Sequence, residues 1–168
     1  MTHRDKRKPR LDETSAFYDP GSLGDDAILI RAAAILEARC VREGDLLSNP
    51  TDARRAVQLR TATLEHEIFG LVYLDNRHRV LGFEDLFRGT IDGCTVHPRE
   101  VAKAALRMNA AAVLIYHNHP STDPTPSRAD ELLTQRLKEV LSLLDIRVID
   151  HIVIGGTEVV SFAERGLL

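Results

Sequence analysis

Within YHNHPSTDPTPSRAD, residues 116–130, His117 and His119 stand one residue apart and are followed, after ten intervening positions, by Asp130. Side chains at i and i+2 of an extended strand share a face with their backbones roughly 6.6 Å apart, so the two imidazoles can converge on one ion. Asn118 then points to the opposite face. Pro120 confines His119 to extended geometry, and Pro124 and Pro126 stiffen the loop beyond. Ser127 is placed to cap a helix over RADELLTQRLKEVLSLLD, whose apolar positions are Leu132, Leu133, Leu137, Val140, Leu141 and Leu144. Asp130 falls in its first turn, where unpaired amides and the helix dipole favour the ionised carboxylate that a metal ligand must be. Two imidazoles and one carboxylate leave a tetrahedral ion one open position, which a catalytic zinc keeps for water.

Ser127 and Asp130 also satisfy a capping box, which accounts for both residues without a metal but explains neither histidine. The adjacent letters HNH do not place the chain among the nucleases of that name, whose residues are dispersed along a ββα-metal fold. A His-His-Asp set also suits zinc better than the hard magnesium ion of a metal-dependent nuclease.

The elements that must position these residues follow from periodicity. Ala27 to Arg42 reads as a helix, apolar around much of its circumference at Ile28, Leu29, Ala32, Ala33, Ile35, Leu36 and Val41, with Asp25 or Asp26 as its cap. It is expected to pack on the main domain or a partner, which leaves room for a homodimer. Asn49-Pro50 opens a second helix over about 50–62. From His66 the period becomes two, with Glu67, Phe69, Leu71 and Tyr73 on one face and Ile68, Val72 and Leu74 on the other. Asp75-Asn76 turns this strand into another near Arg79 to Phe87. Gly93 interrupts the stretch that follows, and Pro98 starts a helix reaching Met108. The apolar run Ala112 to Tyr116 is a buried strand that delivers the histidines at its end. Ile146 to Ile154 is a strand with Asp150 and His151 embedded in it, Gly155-Gly156 a turn, Glu158 to Phe162 a short strand, and a helical turn closes the chain. Strands alternating irregularly with helices make an α/β fold.

Asp150 and His151 are candidates to orient a ligand histidine from behind, with a satisfied core role equally open to His151. Tyr116 reads as packing, and His66, His78 and His97 as structural.

Composition places the chain among ordinary proteins with a packed core, at 43% hydrophobic residues and a net charge of -3. Residues 1–20 read as a tail, basic over its first ten residues at Arg4, Lys6, Arg7, Lys8 and Arg10, where no aromatic platform accompanies the charge; solvation is favoured over contact with nucleic acid. No apolar run reaches membrane-span length and MTHRDKRKPR lacks the apolar stretch of a signal peptide, so a cytoplasmic protein with no membrane partner is expected. Cys40 and Cys94 form no C-x-x-C pair, which argues against a thiolate zinc site and excludes the nucleobase deaminase signature; both read as small buried hydrophobes.

The His117-x-His119 pair with ten residues to Asp130, together with Pro120 and Ser127, resembles the JAMM (MPN+, JAB) zinc metallopeptidase motif. HNHPSTDPTPSRAD, with VHPREVAKAAL before it and DHIVIG and SFAERGLL after it, is similar to the RadC family of JAMM-like proteins. The resemblance covers about residues 65–168 and implies a JAMM/MPN (cytidine-deaminase-like) sandwich of mixed sheet and flanking helices, preceded by a helical segment over 21–64. It implies one zinc ion per chain on His117, His119 and Asp130. Glu67, two residues before Phe69 in an E-x-F pattern, becomes the acid/base, with Glu65 as its rival, and Ser127 supports the oxyanion. The activity implied is hydrolysis of peptide or isopeptide bonds, with a ubiquitin-like tail among the possible substrates. The alternative is a non-catalytic or DNA-associated accessory module of DNA repair or of a mobile element, although the helix-hairpin-helix region of longer RadC proteins is not expected in these 168 residues. Thr122 stands where RadC-like chains usually carry glycine, which bears on the shape of the metal loop.

Overall fold

The computed structural model describes residues 24–42, 50–61, 63–90 and 94–168. The basic tail over 1–20, the cap at Asn49, the end of the second helix at Ala62, the break at Gly93 and the side chain of Cys40 lie outside the described residues. Two helices, α1 (Asp25–Arg42) and α2 (Pro50–Thr61), precede a hairpin of β1 (Ile68–Leu74) and β2 (Val80–Arg88). Then come α3 (Pro98–Arg107), β3 (Ala112–Asn118), α4 (Arg128–Ser142), β4 (Arg147–Gly155) and β5 (Glu158–Ser161). The strands form one five-stranded sheet in the order β2-β1-β3-β4-β5, so the expected α/β architecture of a mixed sheet with flanking helices is found. Among the described strands only β3 and β4 run parallel, and α4 is the crossover that such a pair requires. The closing helical turn expected at the C-terminus is a set of turns, with Arg165 N–H donating to Ser161 and Leu167 N–H to Phe162.

Helices cover both faces of the sheet, which is why β1 and β3 are buried along their whole length. Phe69, Leu71, Tyr73, Val113 and Ile115 meet Val101, Ala104 and Ala105 of α3 and Leu137 and Leu141 of α4 on one face. Val72, Leu74, Leu114, Tyr116, Ile152 and Ile154 meet Val57 of α2 on the other. The apolar circumference of α1 is only partly used. Ala33 is buried, whereas Ile30 and Ile35 are 63% and 45% exposed, because a helix lying on α2 and β2 can bury one stripe only. No helix among the described residues is long and apolar enough to cross a membrane.

A polar chain fastens the N-terminal helices to the sheet. Tyr116 donates to Asp85 at 2.6 Å, Arg60 of α2 closes on the same carboxylate at 2.8 Å, and Arg60 also pairs with Glu37 of α1 at 2.7 Å. The Tyr116 ring reaches Asp85 by lying across Gly70. A Cβ at that glycine would sit 2.3 Å from the ring and 2.7 Å from the Glu84 carbonyl. Gly70→Ala is therefore expected to destabilise the fold by about 1–3 kcal/mol through overpacking. Denaturant unfolding checks this, and a wild-type midpoint in the variant would contradict the packing described.

Candidate metal centre

β3 continues two residues beyond the apolar run, to Asn118, so His117 lies within the strand and is buried. His119 follows the strand, where its N–H donates to the Ile154 carbonyl of β4 at 2.8 Å. Asp130 comes from the opposite side, on the first turn of α4. Ser127 caps that helix: its hydroxyl accepts from the Asp130 N–H, and the Asp130 carboxylate accepts from the Ser127 N–H. The capping box and the convergence with the histidines thus coexist in one residue pair.

His117 Nε2 lies 3.4 Å from Asp130 Oδ1, His119 Nε2 lies 3.6 Å from Asp130 Oδ2, and the two Nε2 atoms are 2.9 Å apart. Donors on a tetrahedral zinc with bonds of about 2.0–2.1 Å are separated by roughly 3.3 Å, so this triangle needs only small adjustments to hold one. The hydrogen bonds behind the rings say which nitrogens are free to donate an electron pair. His119 Nδ1 faces the Asp123 carbonyl at 2.7 Å, and a carbonyl can only accept, so Nδ1 carries the proton and Nε2 is bare.

The same logic runs through His117 in two steps. Thr134 gives its only hydroxyl proton to the Asp130 carbonyl at 2.6 Å, so it accepts from His151 Nδ1, also at 2.6 Å. His151 Nε2 is then an acceptor for His117 Nδ1 at 2.8 Å, which leaves His117 Nε2 bare. Two bare nitrogens facing each other beside a carboxylate make an arrangement that calls for a cation. His117, His119 and Asp130 could hold a metal ion.

Electrostatics agree with that reading. Burial by itself would raise the Asp130 carboxyl, but the facing rings of His117 and His119 and the hydrogen bond from Ser127 favour its charge, outweigh burial and hold the group far below the usual carboxylate range. Burial pushes His151 well below the usual histidine range, which keeps it neutral. Glu67 shares a pocket of about 350 Å³ with the three candidate ligands and Ser127. Burial raises its carboxyl above the ordinary value, with the charge of Asp130 adding to the rise and His117 and His119 opposing it. Glu65, the rival, is exposed on the preceding turn and does not line this pocket.

Asp150 and His151 part company. Neighbours on a strand face opposite ways. His151 is in line with His117, while the Asp150 carboxylate binds the His151 and Ala163 amides and the Ser161 hydroxyl, and reaches Arg54 at 3.4 Å. Asp150 ties β4 to β5 and α2 and does not touch the imidazoles. Cys94, read as a buried hydrophobe, is half-buried in the pocket wall. His97 packs edge-on against Phe87, and His66 and His78 face Arg88 and Arg147.

Two residues had not been singled out for these roles. Asn118 accepts from the Ile68 N–H at 2.8 Å and donates to the His66 carbonyl at 3.1 Å, clamping both neighbours of Glu67. Thr134 completes the path from His151 to Asp130. Its spacing of four from Asp130 on an amphipathic helix was the available signal, since such positions share a face.

Thr122 sits at φ +67°, the left-handed region where a β-branched residue is strained and glycine is not. Thr122→Gly is expected to raise stability by about 0.5–1 kcal/mol, the relief of strain exceeding the entropy cost of glycine. Equilibrium unfolding would show it, and a loss of stability would mean that the threonine side chain makes compensating contacts.

A second expectation concerns pH. The hydrogen bond that a protonated His119 Nε2 donates to Asp130 raises His119 above its ordinary value of 6.5. In the metal-free protein the resulting stabilisation is complete below that ordinary value and is lost as pH rises through the raised one. Metal and proton compete for the same nitrogen, so zinc affinity should climb with pH across this window, by up to about tenfold per unit. Chelator competition at several pH values measures it; a flat profile would remove His119 from the ligand set.

A profile of the family described as RadC-like JAB domain matches residues 47–167. A UPF0758 protein of Nitrosococcus oceani is 59% identical over 128 residues, which is 76% of this chain and 57% of that protein. A UPF0758 protein of Vibrio cholerae is 54% identical over 141 residues, 84% of this chain and 88% of its own length. One of Marinobacter nauticus is 58% identical over 128 residues. The chain spans a little over half the length of the first and third of these relatives, 57% in each case.

Proposed function

This chain belongs to the RadC-like JAB domain family, and we propose that it is a zinc-dependent metallohydrolase acting on peptide or isopeptide bonds. The observation that carries the reading is the pair of bare Nε2 atoms converging with Asp130 in a pocket shared with Glu67. His117, His119 and Asp130 would hold one zinc ion, whose Lewis acidity polarises a substrate carbonyl and makes water a better nucleophile. The remaining chemistry belongs to the chain. Glu67, its carboxyl raised by burial, takes a proton from the attacking water and returns it to the leaving nitrogen. Asn118 holds the backbone on either side of that glutamate. The Ser127 hydroxyl donates to Asp130 Oδ2 at 2.6 Å, which fixes the carboxylate; a turn of that hydroxyl would direct its proton towards a developing oxyanion. Phe69, Val96 and Leu133 keep part of the pocket apolar, which strengthens these interactions by limiting water. The peptide class, and a ubiquitin-like tail within it, is supported by the resemblance to JAMM metallopeptidases.

The test joins metal content to turnover. Wild-type protein is expected to carry about one zinc per chain and His119→Ala none. In a screen of peptide and isopeptide substrates, Glu67→Gln should retain zinc and lose about 10²–10⁴-fold in rate. Absence of zinc from the wild type after loading would end the metallohydrolase reading, and full activity in Glu67→Gln would end the role given to that glutamate.

A further inference from the structure

We propose that Thr134 and His151 are positioning residues that form a one-way relay, dictating which nitrogen of His117 faces the metal position. The reading rests on the proposed function for the identity of the ion, but not for the relay itself. A buried imidazole is an expensive way to fill space between Phe162, stacked on it at 4.6 Å, and Phe69, edge-on at 6.0 Å, since an apolar ring would pack there without polar atoms to satisfy. His151 is fully buried and both of its ring nitrogens are used, one towards His117 and one towards Thr134. Thr134 is itself 1% exposed, so no solvent competes for these bonds.

Direction comes from the far end of the chain. The Asp130 carbonyl can only accept, so it orients the Thr134 hydroxyl, which orients His151, which orients His117. The path begins on the backbone of one candidate ligand and ends on the ring of another. Reversal would put the protons on His151 Nε2 and His117 Nε2, and the latter would then point a hydrogen at the metal position. Without the Thr134 hydroxyl nothing behind His151 sets the direction, while the Asp130 carboxylate, 3.4 Å from His117 Nε2, draws a proton to that nitrogen. A valine of the same shape would fill the space and lose the bias.

The experiment uses the full chain labelled with ¹⁵N-histidine. In metal-free protein above the titration range of histidine, two-bond ¹⁵N–¹H correlations report the tautomer of each ring. The wild type should show His117 and His151 protonated at Nδ1, Thr134→Ser should match it, and Thr134→Val should show a mixture. Zinc affinity by chelator competition should fall about 10–100-fold in Thr134→Val and in His151→Phe, which keeps the ring stack, and recover in Thr134→Ser. His151→Phe carries the affinity test should Thr134→Val not fold. A folded Thr134→Val with an unchanged His117 tautomer and unchanged zinc affinity overturns the relay. A wild type that binds no zinc yet shows the tautomer change in Thr134→Val would sustain the relay and end the metallohydrolase reading.

Discussion

β3 is paired on both edges, antiparallel to β1 and parallel to β4, and covered on both faces, so the position of its last residues is overdetermined. His117 inherits that rigidity directly, and His119 through the hydrogen bond its N–H donates to the Ile154 carbonyl. The parallel pairing has a second effect. It obliges the chain to cross over the sheet through α4 before β4 can lie beside β3, and so brings the N-terminus of that helix back over the end of the strand it has just left. Strand end and helix start meet because the topology permits little else. The candidate metal centre occupies that meeting point, with two donors from one side and one from the other.

Asp130 shows how local and tertiary forces can favour the same state. Burial opposes its charge, yet the imidazoles, the serine cap and the first turn of the helix all favour it, and the balance falls heavily towards the ionised form. Glu67 faces the same pocket with no such bonds in its favour, and there burial prevails. Two carboxyl groups in one pocket are thereby pushed in opposite directions, one towards permanent charge and one towards ready proton exchange. That separation suits a ligand and an acid/base respectively.

Much of this was legible in the chain itself because the signals are local. The i, i+2 spacing of the histidines, the prolines after them, and the Ser127 to Asp130 interval each express a short-range rule, and the period-two run around Phe69 announced a strand. What escaped depended on residues far apart in sequence. Asn118 gives no local hint that its carboxamide will bridge to positions 66 and 68, and Thr134 resembles any polar residue on a helix. Asp150 and His151 looked alike as neighbours in a strand, and only the sheet reveals that one faces the site and the other the β5 side. For α1 a related limit holds: it packs on α2 and β2 as expected, but apolar content does not say how many sides of a helix will find a neighbour. Thr122 is a case where the departure from glycine was visible in sequence, and the left-handed backbone that gives it meaning was not.

The ten residues between His119 and Asp130 hold Pro120, Pro124 and Pro126, with the Asp123 carbonyl accepting from His119 and its carboxylate from the Thr125 amide. An ion gripping both ends would act as a cross-link. The stabilisation a cross-link confers comes mainly from the disorder it removes, and here the prolines have removed part of it from the unfolded chain already. Such an ion would therefore add little by closing the loop. Correspondingly little of its binding free energy would be consumed in ordering it, and more would remain as affinity.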